Sequence, residues 1–171
     1  IISQLDRKID SSLGRLQRNF VELYQLHNRI QNVSDKDNFS VREILKKGGV
    51  ADAMEKLKSD GRIKSIGITA LGDTDAINEV VLSDCFDVAQ IYYNLLNPSS
   101  SFSTRGKWND QSFSNLIKNC KSKDMGLMNI RIYAAGYLAT DKRHGREIPI
   151  TFGINETELN KSCLLYTSDA A

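Results

Sequence analysis

Leu5, Ile9, Leu13 and Leu16 recur at helical spacing, with Asp6, Arg7, Lys8 and Arg15 between them. This pattern predicts an amphipathic helix whose apolar stripe packs against other elements. A strand-like run follows over residues 20–26. Residues 28–47 are rich in Asn, Ser, Asp and Lys, too long for a simple connection, and read as a surface excursion. Val50, Met54 and Leu57 share one face of a second helix over 50–59. Asp60 and Gly61 stop it, because glycine readily takes the left-handed conformation that helix ends favour. Residues 63–69 read as a strand. A helix reopens at Gly72, Asp73 and Thr74, where Asp73 or Thr74 is placed to accept hydrogen bonds from first-turn N–H groups. Ile77, Val80 and Val81 face inward there. Residues 86–91 form the next strand, extending towards Tyr93. A Ser-rich loop with Trp108 leads to a fourth stripe at Phe113, Leu116, Ile117 and Cys120, ended at Gly126. A last strand covers 127–132, and residues 157–161 could begin a helix.

The sum is α–β–α–β–α–β–α–β without an internal repeat. Strands alternating with helices imply βαβ units and a parallel sheet. Four such units match half of an eight-stranded barrel or most of an open doubly wound sheet, and periodicity does not choose between them. In either architecture ligands gather at the carboxyl ends of the strands. Three runs finish there on polar residues: His27, Thr69 and Gln90. Arg131 stands near the end of the last one. This spacing predicts one site assembled from successive strands.

Composition narrows the function classes. Of 171 residues, 26% are charged and 40% hydrophobic, ordinary for a globular domain, and the net charge of +2 is too mild to argue for nucleic acid. No apolar run approaches the roughly 18 residues that cross a bilayer, so no membrane partner is expected. Cys85, Cys120 and Cys163 lack metal-ligand spacing, and no metal is expected. Cys85 and Cys120 read as core or near-core thiols in a reducing compartment, which makes cytoplasm the expected location. Residues 163–171 fit no preceding pattern and are expected to be a non-native tail, leaving 1–162 as the folded region. The chain opens inside a helix, so the native sequence is expected to continue beyond both ends.

The residues carry a resemblance. Residues 12–16 (Ser-Leu-Gly-Arg-Leu) and 21–27 (Val-Glu-Leu-Tyr-Gln-Leu-His) resemble the helix-then-strand segment of the aldo/keto reductases. Residues 60–69 and 87–97 look like that family's next two strands. Residues 126–132, with Ala135, Gly136 and Leu138, resemble a following strand and loop in one bacterial branch. The similarity covers residues 5–138 in order and at the right intervals.

The resemblance implies a partial TIM (β/α)8 barrel, with about four parallel strands alternating with helices. It implies reduction of aldehydes and ketones with NADP(H) as cofactor and a small-molecule carbonyl substrate as partner. In the family a tyrosine donates the proton, tuned by a lysine and an aspartate, and a histidine orients the carbonyl; His27 stands at that histidine's position. Thr69 lies where the family usually has a serine contacting the nicotinamide carboxamide, and its hydroxyl both donates and accepts. Gln90 matches the glutamine on the other side of that amide. Ala70 replaces a common asparagine. Arg131 replaces a common serine near the cofactor and could pair with a phosphate or with a substrate anion. The aspartate, tyrosine and lysine belong to strands preceding Ile1; Tyr24, Tyr92, Tyr93 and Tyr133 stand at the wrong positions to replace them. The 171-residue chain by itself is therefore expected to be inactive. Two other readings are a non-catalytic NADP-binding sensor or scaffold of the same fold, and an open doubly wound binding domain. The second would show an acidic cluster at a strand end or a Gly-rich phosphate loop after its first strand; neither is present, since Gly48–Gly49 follows a polar loop and lacks that context. His144, among Lys142, Arg143 and Arg146, reads as part of a solvated loop.

Overall fold

The computed structural model describes residues 2–103 and 111–139. The expectations for Trp108, Cys163, the basic stretch around His144, a helix from residue 157 and the tail from residue 163 lie outside the described residues. The chain divides into two compact units, residues 1–91 with 115–128 and residues 92–114 with 129–171.

In chain order the elements are α1 (Ile2–Leu16), β1 (Val21–Leu26), β2 (Arg29–Gln31), β3 (Asn38–Ser40), α2 (Val41–Leu45), α3 (Val50–Ser59), β4 (Ile63–Thr69), α4 (Thr74–Leu82), β5 (Val88–Tyr92), α5 (Leu116–Ser122) and β6 (Gly126–Ile130). The main sheet, in the first unit apart from the last residues of β5 and β6, has the order β1-β4-β5-β6. Leu26 pairs with Ile68 and Ile68 with Ala89, so one row crosses three parallel strands. That row is buried and apolar: Leu26 is 7% exposed, Ile68 and Ala89 fully buried. Side chains alternate between the two faces of a strand, so Ile66 and Ile91 extend the same face, and both are buried. The helices bury the complementary stripes: Ile9 on α1, Met54 and Leu57 on α3, Ile77, Val80 and Val81 on α4, and Leu116 and Cys120 on α5. Each buried Leu, Ile or Val of this kind contributes about 1.5–3 kcal/mol of transfer free energy. No helix among the described residues is long and apolar enough to cross a membrane.

Several elements depart from the sequence expectation. The stripe of α1 ends a turn early, with Leu16 56% exposed. Gln17 turns to φ +52° and Arg18 N–H donates to the Leu13 carbonyl, a helix-ending wrap that carries Leu16 outward. The polar stretch holds real structure. β2 and β3 pair in parallel, and Ser40 and Glu43 form a reciprocal capping box on α2, burying Ile30 and Ile44. Ile30 N–H donates to the Leu71 carbonyl and its own carbonyl accepts from Asp73 N–H. A Cβ on Gly72 (φ +129°) would overlap the Ile30 carbonyl, so only glycine permits this approach. Asp73 is the N-cap of α4, but its carboxylate accepts from Asn32 N–H rather than from the helix. Gly126 does not stop α5; it begins β6, donating its N–H to the Asp87 carbonyl, and the helix end is turned by Asp124 at φ +52°. Cys120 is buried as expected, whereas Cys85 is exposed.

Candidate functional site

Thr69 ends β4 and His27 directly follows β1, but Gln90 lies inside β5, which runs two residues further to Tyr92 rather than finishing on the glutamine. Thr69 and Gln90 are register partners, and His27 follows the Leu26–Ile68 pair by one residue. Thr69 and Gln90 therefore share a row on the face opposite the apolar row, and continuing β1 by one residue would add His27 to it. Thr69 is 3% exposed, Gln90 half-buried and His27 exposed. Thr69 Oγ1 donates to Gln90 Oε1 at 3.1 Å, and behind it Ala70 N–H donates to the Gln90 carbonyl at 2.8 Å. The side-chain bond fixes the glutamine's amide with its oxygen towards Thr69. The amide nitrogen is left without a hydrogen-bond partner among the described residues. A hydroxyl and an amide NH2 held side by side, with an imidazole directly after β1, suit a planar polar ligand at the strand ends.

One row deeper on the same face lie Gln25, Gly67 and Val88. A Cβ on Gly67 would sit 3.0 Å from Gln25 Cγ and 3.2 Å from its amide nitrogen, so the missing side chain makes room for the glutamine. Gln25 Nε2 is buried and has no hydrogen-bond partner among the described residues. Sequence reading missed Gln25 and Gly67, because their meaning arises only when β1 and β4 are set in register.

Tyr24 lies on the other face and shares a cleft with Arg7, Lys8 and Arg15 of α1. Burial pushes its phenol above the ordinary value. It does not share the face of Thr69 and Gln90.

In the second unit Arg131 is the first residue after β6, not part of the strand, and stands exposed at φ +60°. Its carbonyl accepts from Asn94 Nδ2 at 3.0 Å and from Ala134 N–H at 2.8 Å. Asn94 belongs to a buried polar cluster with Asn97, Ser99 and Ser100. Asn94 Oδ1 accepts from Leu96 and Asn97 N–H; Asn97 Oδ1 accepts from Ser99 Oγ at 2.6 Å. An apolar cavity of about 440 Å3 lies within this unit, lined in part by Tyr93, Leu95, Phe102, Ile132 and Tyr133. Tyr92 is not among its lining residues; it stacks on Phe113 at 5.6 Å between ring centroids.

Comparisons with known proteins agree with this architecture. No curated protein sequence matches the chain. An aldo-keto reductase from Bacillus halodurans, in its holo form, matches with a TM-score of 0.60 at 18% identity, over 84% of this chain and 41% of that one. One from Klebsiella pneumoniae, in complex with NADP and acetate, gives 0.55 at 20% identity, over 80% and 40%. One from Bombyx mori, in complex with NADP, gives 0.53 at 18% identity, over 86% and 42%. These likenesses establish the fold as part of a (β/α)8 barrel, four parallel strands alternating with helices, which sets aside the open doubly wound alternative. The chain spans about two fifths of the length of the structures it matches. Its sequence also fits the profile of the aldo/keto reductase family over residues 2–161, and the chain belongs to the aldo/keto reductase family.

Proposed function

We propose that this chain supplies the central strands of an NADP(H)-dependent oxidoreductase that reduces aldehydes and ketones to alcohols. The observation that carries the reading is the Thr69–Gln90 pair, in register and hydrogen-bonded so that the glutamine NH2 is left available, with His27 directly after β1. Two of the similar structures are themselves complexes with NADP, which supports the same cofactor class here.

A bound nicotinamide would supply the hydride. Gln90 Nε2 would donate to the carboxamide oxygen of that ring and Thr69 Oγ1 would face the carboxamide beside it. Together they would fix which ring face is presented, a matter of orientation rather than of bond making. His27 would donate an N–H to the substrate carbonyl oxygen, stabilising the negative charge that grows there. Arg131 would pair with an anionic oxygen of the cofactor. The buried Ala70 adds no side-chain hydrogen bond where the family commonly has an asparagine, so the carboxamide would rest on Thr69 and Gln90. The proton donor would come from strands outside residues 1–171, and the 171-residue chain alone would not reduce carbonyls. The free thiols of Cys85 and Cys120 support a reducing, cytoplasmic setting.

The test is a pair of variants in the whole-barrel protein carrying this sequence. Gln90→Ala is expected to weaken NADPH binding about tenfold with little change in the rate at saturation, the loss of a positioned hydrogen bond. His27→Ala is expected to lower kcat by two orders of magnitude or so while leaving NADPH affinity near its parent value. Interchanged effects would overturn the assigned roles.

A further inference from the structure

We infer that Asn94 is a positioning residue for Arg131, holding the main chain in the turn that aims this arginine at an anion; the inference rests on the ligand-binding role proposed for Arg131. The guanidinium has no hydrogen-bond or ion-pair partner among the described residues, and the side chain is exposed. A charge left free in this way is available to a ligand only if something determines where it points.

The backbone supplies that determination. Arg131 sits at φ +60°, a conformation unfavourable for a residue with a Cβ, which persists only where its surroundings enforce it. The turn breaks the alternation of β6, so the Arg131 side chain does not leave along the direction a continued strand would give it. Both acceptor positions of the Arg131 carbonyl are filled, by Asn94 Nδ2 at 3.0 Å and Ala134 N–H at 2.8 Å. The Ala134 bond closes the turn locally. The Asn94 bond comes from 37 residues away and ties the turn to a fixed frame.

That frame is rigid because asparagine uses both ends of its amide. Oδ1 accepts from Leu96 N–H at 2.9 Å and from Asn97 N–H at 3.0 Å, which orients Nδ2 towards Arg131. Asn97 is in turn anchored to the Gln111 carbonyl and to Ser99. An aspartate at residue 94 would keep the two accepted bonds and lose the donated one, setting a carboxylate oxygen against the Arg131 carbonyl. No other common side chain of that size offers a donor and a double acceptor.

A double-mutant cycle on NADPH binding, followed by fluorescence titration in the whole-barrel protein at several salt concentrations, tests this. Arg131→Ala is expected to weaken binding about tenfold and to flatten its salt dependence, as the loss of one charge-assisted contact should. Asn94→Asp is expected to reproduce most of both effects. The double variant is expected to be no more than about twofold weaker than Arg131→Ala alone, since both act on one contact. Ser99→Ala, which loosens the same buried cluster without touching Arg131, is expected to lower the melting temperature and leave the salt dependence as in the parent. Additive losses in the cycle, or a Ser99→Ala that flattens the salt dependence as strongly as Asn94→Asp, would overturn the inference while leaving the role of Arg131 standing. An Arg131→Ala variant with unchanged affinity and salt dependence would instead remove the proposed role of Arg131, and the inference with it.

Discussion

Two clusters of polar side chains in this chain use their hydrogen-bonding capacity in opposite ways. In the first unit, Thr69 and Gln90 make one bond to each other, and the amide nitrogen of Gln90 and the exposed ring of His27 remain available. In the second unit, Asn94, Asn97, Ser99 and Ser100 are buried as well, yet their amides and hydroxyls are engaged with backbone and with one another. Burial therefore does not by itself mark a site. The second cluster replaces a regular ladder for an irregular segment that still has to satisfy its N–H and C=O groups. The first is held in shape by the sheet and keeps donors in reserve, the arrangement a binding site needs.

The largest expected effect separates structure from site directly. Asn97 is fully buried, donates to the Gln111 carbonyl, and accepts from Ser99 N–H and Ser99 Oγ. Asn97→Leu would remove three buried hydrogen bonds, at about 1 kcal/mol each, so a loss of about 3 kcal/mol is expected in urea unfolding. Thr69→Val removes a single bond whose acceptor can turn towards water, and about 1 kcal/mol or less is expected from it. Equal losses from the two variants would erase the distinction between a saturated cluster and an open one.

A second substitution sharpens the same point at the row beneath Thr69. Gly67→Ala would place a Cβ 3.0 Å from the Val88 carbonyl and 3.0 Å from Gln25 Cγ. Overpacking of this kind costs about 1–3 kcal/mol. Adding Gln25→Ala to it should recover only part of that loss. The glutamine can be removed, but the Val88 carbonyl belongs to the backbone of β5 and cannot yield. Full recovery in the double variant would mean that the glutamine alone sets the constraint.

Local agreement decided how much could be read without coordinates. The helix over Val50–Ser59 and the strand over Ile63–Thr69 match expectation to the residue, since apolar spacing and the Asp60–Gly61 stop agree there. The 28–47 stretch was misread because three-residue strands carry no usable period. Ser40 and Glu43 nevertheless spelled a capping box that could have revealed α2. Elsewhere distant partners overruled local preference. The Asp73 carboxylate went to Asn32 N–H, 41 residues away, and the Asn94 amide to Arg131, whose neighbours Ile130 and Ile132 had extended the apparent strand too far. Thr69 and His27 were legible because one closes a recognisable strand and the other follows one, whereas Gln90 lies within β5, two residues short of its end. Gln25 and Asn94 were not, because a mid-strand glutamine and a loop asparagine gain their meaning only from register and long-range bonding.

The contrast between engaged and available groups extends to the thiols, where the smallest effect is expected. Cys120 is fully buried, and burial pushes its thiol up from 9.0 to about 11, while Cys85 is exposed. At pH 8, N-ethylmaleimide followed by peptide mass mapping should find Cys85 modified and Cys120 protected until denaturant is added. The same shift has a sign for stability. The folded state holds the Cys120 proton to higher pH than the unfolded chain does, so its contribution is complete below pH 9 and is lost as pH rises towards 11. Cys120→Ala should flatten the fall in unfolding free energy across that window and leave the curve below pH 8 parallel to the parent. Modification of Cys120 at a rate near that of Cys85 in the native protein would show that α5 opens readily, and that packing of this stripe protects less than its depth suggests.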